Sequence, residues 1–337
     1  MDKTIAIVTG GAGFIGSHMV DLLLSSGYQV RVLDNFTGGH ERNLEQHLKN
    51  SALHIEKADI CKLDPRNKLF DNAKYVFHFA GIGDIVPSIE KPIDYMNTNV
   101  QGTVRVLEAA RSAGVEKFVY AASSSCYGLA ETPTNEDHPI SPQYPYALSK
   151  YQGEQVAFHW HQVYDLPVNS IRIFNAYGTR VRTTGVYGAV FGVFFKQKLE
   201  NSPFTVVGDG NQSRDFLYVT DVAKAFLLSA TTSKTGQIYN LGAGNPQSIN
   251  QLVELIGGEV EYLPKRPGEP ECTWADITKI SSEISWYPVV QFSEGVKNMM
   301  NEIENWRDAP LWDSSSIEKA TKTWFQYMDN NGKILDE

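Results

Sequence analysis

The chain has 337 residues, a formal net charge of −9, 42% hydrophobic and 20% charged residues, and no block of like charge. That composition describes an ordinary globular protein and excludes a nucleic-acid surface or an anionic membrane as its main partner, while a few local cations still suffice for an anionic small molecule. Cys61, Cys126 and Cys272 are too scattered for a disulfide framework or a metal set, no apolar run approaches ~18 residues, and the strand-like start at residue 4 leaves no room for a signal peptide, so a cytoplasmic location is expected.

Strand and helix signals alternate from the first residues. TIAIVTG (4–10) reads as a strand, SHMVDLLLSSG (17–27) as a helix and QVRVLD (29–34) as a second strand. LHIEKADI (53–60), KYVFHFA (74–80) and KFVYAAS (117–123) follow as strands three to five, with a helix over 95–114 ending in Gly114. PVNSIRIFN (167–175) is a sixth. Such alternation with apolar strands predicts an α/β fold, a Rossmann-type doubly wound parallel sheet. After residue 175, glycine-rich loops, prolines and short strands such as FTVVGDG (204–210) predict a smaller C-terminal substrate lobe. Residues 214–230 read as a strand and helix returning to the main sheet. The expected division is a dinucleotide-binding domain over 1–175 with 214–245, a substrate lobe over 176–213 and 246–312, and a helical extension over 313–337.

TGGAGFIGSH (9–18) sets Gly10, Gly13 and Gly16 between the first strand and the first helix. Glycines there allow a tight turn and let backbone approach a pyrophosphate at a helix N-terminus. Asp34 ends the second strand 18 residues beyond Gly16, where a carboxylate grips an adenosine ribose and repels a 2′-phosphate. NAD is therefore the expected cofactor. Further on, PYALSK places Tyr146 and Lys150 at i and i+4 on one helical face. An adjacent ammonium is expected to lower the phenol's pKa and make it a general base. Ser123, which closes the fifth strand 23 residues upstream of Tyr146, stands at the end of the sheet where doubly wound folds place their chemistry.

Together TGGAGFIG, Asp34, HFAG, Ser123, Tyr146-x-x-x-Lys150 and RIFNAYG resemble an extended short-chain dehydrogenase/reductase, and most of all its UDP-glucose 4-epimerase branch, from about residue 4 to about residue 300. The resemblance implies that Phe14 and Ile15 lie against the NAD pyrophosphate, Asp34 and Asn35 on the adenosine ribose, and Asp59 and Ile60 on the adenine. Phe79, Ala80, Gly81, Asn99 and Phe174 would line the cofactor, and Lys150 would bond the nicotinamide ribose. Related 4,6-dehydratases carry Asp and Glu directly after the serine; here these positions are Ser124 and Ser125, whose hydroxyls are poor acids and bases at neutral pH.

For the substrate, the resemblance implies Ser123, Ser124, Asn175, Arg214, Arg266, Glu269 and Thr273, with the arginines on a diphosphate. Glu269 stands where Asp is usual, and Ile173 and Thr179 replace a frequent tyrosine and proline. Thr273 is small at a position that is bulky in enzymes confined to glucose and galactose, which resembles epimerases that also take N-acetylated sugars. Residues 181–199 do not identify the base. HWH (159–161) puts two histidines on different helical faces, so no metal is expected. The tail 313–328 reads as an amphipathic helix packed on its own lobe. The implied activity is a nucleotide-sugar 4-epimerase, forming a homodimer through helices that flank the sheet. A nucleotide-sugar dehydrogenase or reductase is the nearest alternative. A 4,6-dehydratase comes next, and a non-catalytic NAD-binding protein last.

Overall fold

The computed structural model describes residues 3–183, 190–265 and 269–328. Seven strands form its central sheet: β1 (Ile5–Thr9), β2 (Gln29–Asp34), β3 (Leu53–Lys57), β4 (Ala73–His78), β5 (Lys117–Ser123), β6 (Val168–Ile173) and β7 (Gln237–Leu241). They lie all parallel in the order β7-β6-β5-β4-β1-β2-β3. Every residue of β5 and β6 is buried, as strands covered on both faces must be. On one face Met19, Val20 and Leu23 of α1 (Phe14–Ser25) share a core with Phe226. On the other, Val106, Leu107 and Ala110 of α2 (Thr103–Ala113) pack with Ala157 of α3 (Pro145–Tyr164). Strand order reverses between β1 and β4, which opens a crevice at the carboxyl ends of these strands.

Two features differ from the sequence reading. β7 (QIYNL) is a seventh strand where six were expected, its apolar residues broken up by Gln237 and Asn240. The run Phe216–Tyr218 was expected to return to the main sheet, but pairs parallel with Asn175–Tyr177 outside it. The helix after it, α4 (Val219–Thr231), does come back and packs against α1.

The second lobe holds short strand pairs, Phe204–Val207 with Val260–Leu263 and Ser213–Arg214 with Gln247–Ser248 and Cys272–Thr273. Its aromatic core includes Phe191, Phe194, Phe204 and Trp306. Beyond it runs α5 (Ser314–Met328), capped by Asp313, whose Oδ1 accepts from Ser316 N at 2.7 Å. Instead of staying on its own lobe, this helix reaches the sheet domain, where Thr323 Oγ1 donates to Glu90 Oε1 at 3.2 Å. There Trp324 finds an aromatic partner, packing on Tyr144 with ring centroids 5.9 Å apart.

Candidate active site

At the end of β1 the chain turns through Gly10, whose φ of +69° favours glycine and whose added Cβ would lie 2.7 Å from Ala80 N. A Cβ on Gly16 would lie 2.1 Å from Gly10 O, so α1 can start this close to β1 only with glycine there. Gly13 precedes α1 and has only Gly10 O within reach, which leaves its outer side open to a ligand. Phe14 and Ile15 form the first turn of α1. Replacing Gly16 with alanine is therefore expected to weaken NAD binding by about tenfold or more, since the Gly10 carbonyl is itself held by Gly13 N at 3.0 Å. Cofactor retained through purification and a direct titration would check this.

Asp34 is buried and locked, with Ala12 N donating to Oδ2 at 2.9 Å and Phe36 N to Oδ1 at 2.8 Å. Each oxygen keeps a lone pair for a ribose hydroxyl. Asn35 accepts from Thr37 N at 3.0 Å, and Asp59 accepts from Cys61 N at 2.9 Å next to buried Ile60. Phe79 packs on Phe226 with centroids 4.5 Å apart. Phe174 N donates to Leu241 O at 2.9 Å at the mouth of β6. These positions stand at or just after the carboxyl ends of β2, β3, β4 and β6, and the donor set and the open turn fit a dinucleotide.

Sequence reading missed the polar chain that fixes the middle of this crevice. His78, buried at the end of β4, contacts Thr9 Oγ1 through Nδ1 at 2.7 Å and Thr103 Oγ1 through Nε2 at 3.0 Å. Thr103 Oγ1 donates to Asn99 O at 2.7 Å, so Nε2 carries the proton and Nδ1 accepts from Thr9. Burial pushes the imidazole down to about 3, with Lys150 adding to the shift, so His78 is neutral at working pH. Asn99 lies in a wide helical turn, Asn97–Gly102, and its side chain binds both the N–H and the C=O of Ile82, at 2.8 and 3.0 Å. That clamp holds Gly81 within reach of Asn99 and Lys150. The signal was the histidine in HFAG, of which only the three following residues were read.

Ser123, Tyr146 and Lys150 converge where β5 ends and α3 begins. The Ser123 hydroxyl accepts from Ser125 N at 3.2 Å and lies on the side of the Tyr146 phenol, whose pKa it lowers. Lys150 is buried with Nζ over the Tyr120 ring, 4.6 Å from its centroid. The electrostatics correct the sequence expectation. Burial raises the Tyr146 phenol above its ordinary value, Ser123 opposes the rise, and Asp84 adds to it. Lys150 does not lower the phenol, because its ammonium rests on Tyr120, and burial brings Lys150 itself down to about 8 against the opposing pull of Glu154. In the protein alone, desolvation outweighs the charge.

In the second lobe, Asn175, Arg214 and Glu269 line one cavity of about 210 Å³ together with Phe191, Val206 and Phe216. Arg214 Nη2 pairs with Glu269 Oε1 at 2.8 Å. Thr273 Oγ1 donates to Asn175 Oδ1 at 2.6 Å, so this threonine orients Asn175. Ser124 follows Ser123 in a short turn. Arg266 lies outside the described residues.

With the crevice, the serine–tyrosine–lysine cluster and the second cavity in place, comparison with known proteins is decisive. The family model for the NAD dependent epimerase/dehydratase family matches residues 6–242. The chain belongs to that family. It is an NAD-dependent enzyme of Rossmann type. A UDP-glucose 4-epimerase of Mycolicibacterium smegmatis is 35% identical over 308 residues, covering 89% of this chain and 98% of that protein. The UDP-N-acetylglucosamine 4-epimerase of Methanobrevibacter ruminantium, solved with UDP-N-acetylmuramic acid, superposes with a TM-score of 0.83 at 31% identity, covering 90% of this chain and 100% of that one. The UDP-glucuronic acid 4-epimerase of Bacillus cereus, solved with UDP-glucuronic acid and NAD, also gives 0.83, at 32% identity over 90% and 99% of the two chains.

Proposed function

We propose that this protein is a nucleotide-sugar 4-epimerase whose substrate is a UDP-linked hexose or N-acetylhexosamine. The observation that carries this reading is the convergence of Ser123, Tyr146 and buried Lys150 where β5 ends and α3 begins, with Ser124 and Ser125 standing where a carboxylate would be needed for elimination. NAD, held by the glycine turn and Asp34, would supply the hydride acceptor and donor for C4 of the sugar. Tyr146 takes the proton of the 4-hydroxyl and gives it back, with Ser123 relaying to the same oxygen. Lys150 would offer a donor to the cofactor ribose. Arg214, Arg266, Glu269 and Asn175 would hold the nucleotide, leaving the sugar free to turn about its phosphate bonds.

In this reading residues 1–175 with 214–245 hold the cofactor, 176–213 with 246–312 the nucleotide, and 313–337 form an extension. A homodimer through α3 fits the exposed Leu148, Val163 and Tyr164 on that helix. Scattered free cysteines support a reducing cytoplasm. Among the described residues no helix is long and apolar enough to cross a membrane.

The test incubates purified protein with UDP-glucose, UDP-GlcNAc and UDP-glucuronate separately, without added cofactor, and follows reduced nicotinamide and the sugar products. A C4 epimer without accumulated NADH is expected. Stoichiometric NADH only on addition of NAD⁺ would replace the epimerase with a dehydrogenase. No product from any of the three would remove the UDP assignment.

A further inference from the structure

Tyr144, two residues before Tyr146, has no part in the reading above, yet it flanks the catalytic residue. Its ring stacks on that of Tyr146, with centroids 6.4 Å apart and planes 7° from parallel. The side chain of Ser125, two residues beyond Ser123, opposes the rise that burial gives the Tyr144 phenol. Tyr144 sits just outside the first turn of α3 in extended backbone (φ −149°, ψ 161°), so the helix does not hold its ring. Stacking does: Tyr146 lies on one side, and Trp324 of α5 lies 5.9 Å away.

α5 is anchored at both ends to different parts of the molecule. At its start Ser314 Oγ donates to Glu261 Oε1 at 2.7 Å in the second lobe. Near its end Thr323 Oγ1 reaches Glu90, on the short helix Ile85–Glu90 that follows the Asn99-clamped Ile82. Ile317 and Thr321 between these anchors are 4% and 3% exposed, so the helix is packed down along its length. It therefore bridges the two lobes beside the catalytic tyrosine. The two solved epimerases described above are covered almost in full by about nine-tenths of this chain, so about a tenth of it has no counterpart in them. The family match ends at residue 242, and the sequence resemblance at about residue 300.

We propose that α5 closes the sugar end of the cleft, and that Trp324, by holding Tyr144 against Tyr146, keeps the oxidised sugar from leaving between the two halves of the reaction. This rests on the epimerase reading. An epimerase has to let its keto sugar turn over without letting it go. Escape leaves the sugar two electrons poorer in solution and the cofactor reduced, with the 4-hydroxyl proton left on the protein. A rigid aromatic wall beside the base confines the ring, and a bridge anchored on both lobes resists their parting. Trp324 is in this sense a positioning residue acting through Tyr144.

Trp324→Ala and Trp324→Phe, made in the full chain with its bound NAD, test this against wild type. With UDP-glucose, Trp324→Ala is expected to build up reduced cofactor and release 4-keto sugar, trapped by borohydride, as turnover proceeds. Its KM should rise about threefold to tenfold, the worth of one aromatic contact. Trp324→Phe keeps a ring against Tyr144 and should accumulate neither. Binding of UDP alone, measured by calorimetry, should change by less than about twofold, since the nucleotide lies in the second lobe. Steady epimerisation by Trp324→Ala with no reduced cofactor and no released keto sugar would overturn the proposal. So would an equal weakening of UDP binding, which marks a helix that only supports the fold. If wild type forms no epimer from UDP-glucose, UDP-GlcNAc or UDP-glucuronate, the epimerase reading fails, and this proposal falls with it.

Discussion

Replacing Tyr146 with phenylalanine is expected to lower kcat by about a thousandfold or more, the upper part of the range for a general acid–base group. The ring itself stays. Its contacts with Tyr144 and with Tyr95, whose centroid lies 6.4 Å away, do not need the hydroxyl, so the melting temperature should hold. Ser123 cannot substitute, because its hydroxyl is a far weaker base than a phenolate and is already engaged by Ser125 N. NAD should remain bound, since the glycine turn, Asp34 and the Asn99 clamp are untouched. The measurement is the rate of C4 epimer formation at saturating substrate beside a thermal melt. A loss below about tenfold with the fold intact would take Tyr146 out of the base role.

The second large effect concerns a buried ion pair behind that site. Glu154 and Arg172 are 1% and 3% exposed, and Arg172 Nη2 meets Glu154 Oε1 at 2.6 Å. Ser170 Oγ donates to Glu154 Oε2 at 2.8 Å, while Arg172 Nη1 donates to Tyr127 Oη at 2.7 Å, which donates in turn to Asn240 Oδ1 at 2.7 Å. The network ties α3 to β6, to β7 and to the turn after Ser123. Glu154→Gln keeps the shape but leaves a buried guanidinium without its counter-charge, so a loss of about 3–5 kcal/mol in unfolding free energy is expected. Denaturant titration reads it. Replacing Arg172 with methionine in the same chain should restore part of the loss, because the desolvated charge goes with it. A second readout separates this from a plain packing defect. Glu154 opposes the burial that lowers Lys150, so removing its charge should bring the lysine below about 8. Lys150 is charged below its pKa, and the alkaline limb of kcat/KM should therefore move to lower pH. An unmoved limb would show that Glu154 acts on stability alone.

Much of the fold was legible because its signals are local. A β-branched run, three glycines and an amphipathic helix lie within residues 4–27, so neighbouring residues dictate the turn and its open face. The same holds for Tyr146 and Lys150, one helical turn apart. β7 was not legible, since Gln237 and Asn240 break up its apolar residues and it runs straight into a glycine loop. Arg214 and Glu269 were singled out only through resemblance, because a lone arginine in sequence has no stated partner.

By itself, then, the sequence determined the doubly wound sheet and the NAD-binding turn, which follow from local spacing, and singled out Ser123, Tyr146 and Lys150 as the candidates for the chemistry. Tertiary structure alone decided the rest. It brought His78 to Thr9 across 69 residues, Thr273 to Asn175 across 98 and Thr323 to Glu90 across 233. It also decided the sign of the Tyr146 shift: the distance of an ammonium along a helix was visible in the sequence, but the burial that outweighs it was not, because desolvation depends on every element packed around the ring.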